Sequence, residues 1–123
     1  LVVSATDGQG QALLLRDGPV VPDWGGDLAG RPGKIFAKVL RNLNSGQEPT
    51  AAYWSSTIIV SDNRIPAFGA DTSVYEFVAP PGGTVDVEAT LIFRRAFWDL
   101  MQAKRWDMPD IVMEQETEPI AIP

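Results

Sequence analysis

The sequence predicts a mainly β fold, an antiparallel immunoglobulin-like β-sandwich with one short helix near the C-terminal end. Residues 84–95 alternate apolar and polar side chains, as expected for a strand with one buried face. Short β-branched and aromatic runs are separated by Gly- and Pro-rich turns. Residues 96–106 change to helical spacing. Many short strands with one late helix are typical of a two-layer sandwich.

The N-terminal part predicts a hairpin followed by a long loop. Residues 1–5 and 11–16 are expected as strands joined by a turn at Asp7-Gly8-Gln9-Gly10. The segment from Pro19 to Gly33 contains three prolines and four glycines, which exclude a sustained helix or a central strand. Trp24 is the side chain expected to fold this loop back onto the domain.

The middle of the chain predicts three further strands. Residues 34–43 fit both a strand and a helical stripe, and we favour a strand because the neighbouring segments are strands. Residues 52–60 are rich in aromatic and β-branched side chains, which favours a strand. Residues 73–78 predict a short strand that ends at Pro80-Pro81-Gly82-Gly83.

The length of 123 residues suits one domain. We assign residues 1–113 to a single β-sandwich domain and residues 114–123 to an acidic C-terminal tail that ends in proline. The sequence begins within an apolar run and without an initiator Met, so we expect it to be part of a longer chain. Residues 111–113 could add a last strand before the tail.

Composition and charge disfavour several classes of function. Lys and Arg total 10 against 16 Asp and Glu, and the net charge of −6 disfavours nucleic acid and anionic membranes as partners. No window approaches the ~18 apolar residues of a membrane span, so no membrane insertion is expected. The chain has no Cys and no His, which excludes disulfides, Cys-ligated zinc and a Ser-His-Asp triad within it. We therefore predict that it is not an enzyme, with no catalytic residues.

One corner of the sequence could hold a cation. Asp62, Asn63 and Asp71 could supply oxygen ligands, although Asp and Asn more often stabilise turns through their own backbone. We favour turn chemistry, and expect Arg64 to pair with one of these carboxylates or with a strand-end carbonyl. No metal-binding or cofactor-binding residue is assigned.

The aromatic residues are the better candidates for a binding site. Trp24, Tyr53 and Trp54, with Arg64, could contact a sugar or a protein partner, because amphipathic rings suit both. The alternative is core packing, since one of two neighbours on a strand faces inward. Trp24 is expected to be the most exposed of the tryptophans.

Several short motifs resemble one protein family. They are the run Gly33-Lys34-Ile35-Phe36-Ala37-Lys38-Val39-Leu40, then Asp62-Asn63-Arg64-Ile65-Pro66, Tyr75-Glu76-Phe77, and the strand 85–95 with its terminal Phe93-Arg94-Arg95. Together they resemble the haem-free β-sandwich domain found towards the C-terminal end of bacterial multihaem c-type cytochromes. The hairpin at residues 2–18 is similar to the one that precedes these motifs in that family.

The resemblance implies a non-catalytic structural or docking module of an exported protein, periplasmic or extracellular, that takes part in electron transfer. Its partner would be the haem-bearing region of the same parent protein or a redox partner. Haem c would be carried elsewhere in the parent, because this chain lacks the Cys and His of a Cys-x-x-Cys-His segment. The alternative is a carbohydrate- or protein-binding β-sandwich module of a secreted protein.

Overall fold

A computed structural model describes all 123 residues and confirms a mainly β chain with antiparallel sheets and one short helix near the C-terminal end. A 3₁₀ segment, Asp23–Leu28, lies in the long N-terminal loop. The regular elements are β1 (Val2–Asp7), β2 (Leu15–Asp17), β3 (Lys38–Asn42), β4 (Thr57–Asp62), β5 (Glu76–Phe77), β6 (Gly83–Phe93), α1 (Trp98–Lys104) and β7 (Ile111–Ile122).

The strands form three antiparallel sheets. The central sheet has the order β1-β6-β7, and two smaller sheets pair β2 with β5 and β3 with β4. In the central sheet Ala5 lies opposite Val87, and Val87 lies opposite Glu118 on the far side. These sheets are compatible with a sandwich, and the immunoglobulin-like arrangement stays a prediction.

The core lies mainly against one face of the central sheet. Val3, Ala5 and Val85 are buried, and the pairings Val3–Ala89 and Asp7–Val85 place them on the same face as Val87. Residues from other elements complete the buried apolar set, namely Val2, Val21, Val39 and Met101. In β6 only Val85 is buried, Val87 and Leu91 are half-buried and Phe93 is exposed, so the predicted alternation sets the buried face at the start of the strand but not at its end.

Residues 114–122 of the segment that the sequence assigns to an acidic C-terminal tail belong to β7, and Pro123 follows the strand. β7 pairs with β6 along almost its whole length, from Phe93–Ile111 to Gly83–Ile122. The physical reason is that an eleven-residue amphipathic strand such as β6 has two edges of backbone donors and acceptors, and β1 covers only one of them. Pairing satisfies the second edge even though the pairing strand is polar.

The other elements agree with the sequence in kind but differ in extent. Residues 38–42 are a strand and residues 98–104 a helix, as predicted. The return strand of the N-terminal hairpin is reduced to a single bridge, Thr6–Ala12, and β2 pairs with β5 instead. Asp7 Oδ1 accepts the backbone N–H groups of Gln9 and Gln11 at 2.9 Å each, so this turn is held by a side chain.

Candidate docking surface

An apolar groove of about 570 Å³ lies between the C-terminal end of β6, the 3₁₀ segment and α1. Seventeen of its 20 lining residues are hydrophobic, including Leu28, Ile35, Phe36, Phe93 and Phe97. Phe93 stands 49% exposed at its rim, although the alternation of β6 predicts an inward-facing side chain. Ligand and partner sites are typically concave and apolar with few polar groups, so we take this groove as the candidate docking surface.

Arg94 connects the walls of the groove. Its Nε and Nη2 donate to the two carboxylate oxygens of Asp110 at 2.8 and 2.6 Å, and Nη2 also donates to Asp27 at 2.7 Å. Nη1 donates to the carbonyl of Gly25 at 2.9 Å. The guanidinium also lies over the ring of Trp98, 5.1 Å from its centroid.

This network joins the long loop, β6 and the start of β7 through one side chain that is only 16% exposed. The hydrogen bonds that Arg94 donates to Asp110, aided by the one to Asp27, raise the pKa of Arg94 above its ordinary value. A fork-shaped donor with two carboxylate partners is already neutralised. We therefore assign Arg94 to holding the loop in place, and not to binding a further anion. From the sequence, Arg94 is named only in the Phe93-Arg94-Arg95 end of the strand 85–95, because its partners Asp27 and Asp110 are distant along the chain.

Trp24 lies in the groove wall, and the prediction that it is the most exposed tryptophan was wrong. Its ring contacts Phe97 edge to face, with centroids 5.5 Å apart. Trp24 is half-buried because the 3₁₀ segment folds onto α1. Gly26 permits this approach: its φ is +66°, and a Cβ there would meet the Trp98 ring at 2.1 Å.

Tyr53 and Trp54 form a separate exposed pair. The two residues are 91% and 77% exposed, and their rings contact each other edge to face with centroids 5.0 Å apart. The expectation that one of them is core was wrong, because both lie in a turn before β4 where the alternation of a strand does not apply. Neither ring lines the groove.

The predicted cation corner is occupied by protein contacts. Arg64 forms an ion pair with Asp62 at 2.6 Å, as expected, and lowers the pKa of Asp62 to about 2 through that hydrogen bond. Lys34 Nζ contacts Asp71 at 2.6 Å. The Asn63 side chain accepts the N–H of Ala37 and donates to the carbonyl of Ile35, both at 2.8 Å. These two hydrogen bonds hold the segment after β4 against the segment before β3. Each polar group therefore has a structural partner within the chain.

The four residues predicted for partner binding are not brought together. Trp24 lines the groove, Tyr53 and Trp54 precede β4, and Arg64 follows the other end of that strand. A six-residue strand separates its ends by roughly 17–20 Å. The groove itself was missed by sequence reasoning, since its walls come from segments far apart in the chain.

Much more apolar surface is exposed than the groove alone provides. Only 12 of 123 residues are buried. On β4 the three consecutive residues Ile58, Ile59 and Val60 are 44%, 62% and 39% exposed, so both faces of that strand are open. Exposed apolar patches of more than a few hundred Å² commonly mark interaction sites.

The total accessible surface, polar and apolar together, also exceeds that of a compact chain. It is 8,619 Å² for a chain of 13.4 kDa, against about 6,500 Å² expected for a compact monomer of that mass. The chain thus buries about 56% of its unfolded surface, less than the ~60% of a 60-residue domain. The excess of about 2,100 Å² is larger than the ~800 Å² that one partner contributes to a standard protein interface.

Comparison of the chain with family models, with curated proteins and with solved structures finds no match. No helix has the length and apolar character that crossing a bilayer requires.

Proposed function

We propose that this chain is a non-catalytic docking module whose apolar groove and sheet faces are covered by another protein body. The observation that carries this proposal is the excess exposed surface, about 2,100 Å² beyond that of a compact monomer. Hydrophobic burial at roughly 25 cal/mol per Å² is the main driving force for covering such a surface. Covering it stabilises the domain and the complex together.

The body that we propose as the cover is the haem-bearing region of an exported multihaem cytochrome, in the same parent protein, with a periplasmic or extracellular location. The motifs from Gly33 to Arg95 that resemble the cytochrome family support this choice. This chain itself carries no Cys and no His, so its residues do not fit a c-type haem attachment. Its role in electron transfer would therefore be to shield or orient the haem-bearing region, or to dock a redox partner.

The cytochrome part of the proposal is tested by visible absorption. The intact parent protein, purified from its native host, is measured before and after reduction with dithionite. A Soret band that shifts on reduction is the expected result. A featureless spectrum overturns the cytochrome assignment and leaves the docking role to be tested separately.

The docking role is tested by two matched phenylalanine substitutions in the intact parent. Phe93 lies in the groove, whereas Phe68 is fully exposed and lies outside it. If the groove is covered, Phe93→Ala should cost about 3–5 kcal/mol of unfolding free energy, the usual range for a buried phenylalanine. Phe68→Ala should stay within about 0.5 kcal/mol. Equal and small effects of both substitutions would exclude a covered groove.

A second candidate function, a carbohydrate- or protein-binding module of a secreted protein, is favoured by the pair Tyr53 and Trp54. Two exposed rings on a turn, packed edge to face, provide amphipathic aromatic surface that a sugar or a partner protein can contact. Trp54→Ala should then abolish binding on a glycan array or in a pull-down, with Phe68→Ala as the control for loss of an exposed ring. Trp24→Ala is a poor test, because Trp24 supports Phe97 in the groove wall.

A further inference from the structure

β7 is an edge strand of unusual length. It has 12 residues, it pairs only with β6, and its side chains are exposed from Ile111 to Ala121. Long exposed edges are commonly shortened, charged or covered, because they accept strands from other chains. Along its outer side, most backbone N–H and C=O groups of β7 have no partner strand.

The hydrogen bonds of β1 determine which residues of β7 direct their N–H and C=O groups to the open side. Val3 N donates to Pro32 O and Leu13 N donates to Ala5 O, so the odd-numbered residues of β1 bond away from β6. Antiparallel pairing alternates, so even-numbered residues of β6 bond to β1 and odd-numbered ones bond to β7. Because Val87 lies opposite Glu118, the even-numbered residues of β7 bond to β6 and the odd-numbered residues face outward.

The outward residues are therefore Gln115, Thr117, Pro119 and Ala121. The backbone nitrogen of Pro119 faces away from β6, so the missing N–H of proline costs no hydrogen bond of the sheet. This explains how a proline fits within the strand. The N–H of Gln115 makes only a long contact of 3.4 Å with Glu114 Oε1. Outward N–H groups at residues 115, 117 and 121, with the four carbonyls, form an open ladder.

The side chains beside this ladder are acidic. Glu114, Glu116 and Glu118 lie on one face of β7, opposite Leu91, Ala89 and Val87 of β6. β6 adds Asp86 and Glu88 on the other face, and neither strand contains a Lys or Arg. None of these five carboxylates forms an ion pair within the chain.

We propose that the open edge of β7 binds an extended segment of a partner protein that carries Lys or Arg at alternate positions. Such a segment would add a strand to the central sheet, with its backbone on the outward groups and its basic side chains beside the three glutamates. A second copy of this chain fits poorly, because antiparallel pairing of two β7 strands about Thr117 places Glu116 opposite Glu118 of the other copy. This inference does not depend on haem or on the apolar groove.

The test uses the full ¹⁵N-labelled chain and a blocked peptide that alternates lysine with threonine. Binding should slow amide exchange at Gln115, Thr117 and Ala121 at least about tenfold. The amides of Glu114, Glu116 and Glu118 already bond to β6 and should change little. A peptide of the same sequence that is N-methylated at alternate residues, and one that alternates glutamate with threonine, should not bind.

Two variants distinguish the contribution of backbone hydrogen bonds to binding from the contribution of charge. Thr117→Pro removes one outward N–H, at a position equivalent to the native Pro119, and should abolish the protection. Glu114→Gln combined with Glu116→Gln and Glu118→Gln keeps the ladder and should weaken binding about tenfold.

Three results overturn the proposal. The first is binding of the N-methylated peptide as tight as that of the parent peptide, which means that charge alone attracts it. The second is lysine-peptide binding that leaves the three outward amides unprotected. The third is protection of those amides in the free chain that rises with concentration, which means that a second copy occupies the edge.

Discussion

The hydroxyl of Tyr75 is buried and has no hydrogen-bond partner in the chain. A buried polar group without a partner costs free energy, so removing it is neutral or favourable. We expect Tyr75→Phe to leave the free energy of unfolding unchanged or to raise it by about 1 kcal/mol. Urea unfolding measures this, with Tyr53→Phe at a 91% exposed position as the control. A loss above about 1 kcal/mol would show that the hydroxyl has a partner in solution.

The pairing of Asp62 with Arg64 predicts an acidic titration. The pKa of Asp62 is lowered to about 2 by the hydrogen bond from Arg64. A lowered folded-state pKa stabilises the fold above the ordinary value of about 3.9, and this contribution is lost as the pH falls towards 2. NMR of the side-chain carboxyl should give a midpoint near 2.

The partner substitution tests the cause of that shift. Arg64→Gln should return the Asp62 midpoint towards about 3.9, because the guanidinium that favours the ionised carboxylate is gone. Arg31→Gln, at an exposed arginine without an ion pair, should leave the midpoint of Asp62 unchanged. An Asp62 midpoint that stays low in Arg64→Gln would assign the shift to another source.

At the level of elements, two neighbouring arginines have different roles. Arg94 bonds to Asp110, Asp27 and Gly25, whereas Arg95 is exposed and has no ion pair. Lysine keeps the charge but cannot supply the forked set of donors. We expect Arg94→Lys to cost about 1.5–3 kcal/mol, the range for hydrogen bonds to charged groups. Arg95→Lys should change stability by less than about 0.5 kcal/mol.

Amide exchange in Arg94→Lys shows whether the loss of these hydrogen bonds destabilises only the loop or the whole fold. If Arg94 holds the 3₁₀ segment against β6, Arg94→Lys should speed amide exchange first at Gly25 and Ala29, whose N–H groups bond within the loop. Uniform acceleration across β1 and β6 would instead mean that the network supports the whole fold. Equal stability of both variants would contradict the role assigned to Arg94.

Local periodicity explains which elements could be predicted from the sequence. β6 and α1 have clear periods of two and about 3.6, so their type was evident from the residues alone. Beyond residues 111–113, β7 was missed because its glutamates and Pro119 resemble a solvated tail, and its pairing depends on the free edge of β6. β2 pairs with β5 across roughly sixty residues, and no local pattern specifies such a partner.

The candidate site was less predictable for a related reason. Aromatic and charged residue types identified Trp24, Tyr53, Trp54 and Arg64, but their exposure depends on tertiary contacts. Trp24 is covered because Gly26 lets the loop approach Trp98, while Tyr53 and Trp54 are exposed because their segment turns before the strand begins. The groove combines residues from both ends of the chain, so only the assembled fold reveals it.

At the scale of the whole molecule, the exposed surface predicts an unusual response to denaturant. The slope of unfolding free energy against urea, the m-value, is proportional to the surface newly exposed on unfolding. This chain buries about 56% of its unfolded surface, where a compact domain of similar length buries about 67%. We expect the m-value of the 123-residue chain to be about a sixth below that of a compact domain of equal length.

Covering the exposed surface should raise the m-value to that of a compact domain. If the proposed parent protein covers this chain, the excess of about 2,100 Å² is buried there, so the transition assigned to this domain should steepen and shift to higher urea. Self-association could steepen it as well, and it is recognised because the midpoint then rises with protein concentration. A full m-value in the dilute monomeric chain would mean that the groove and sheet faces close on themselves, and the docking role would lose its main support.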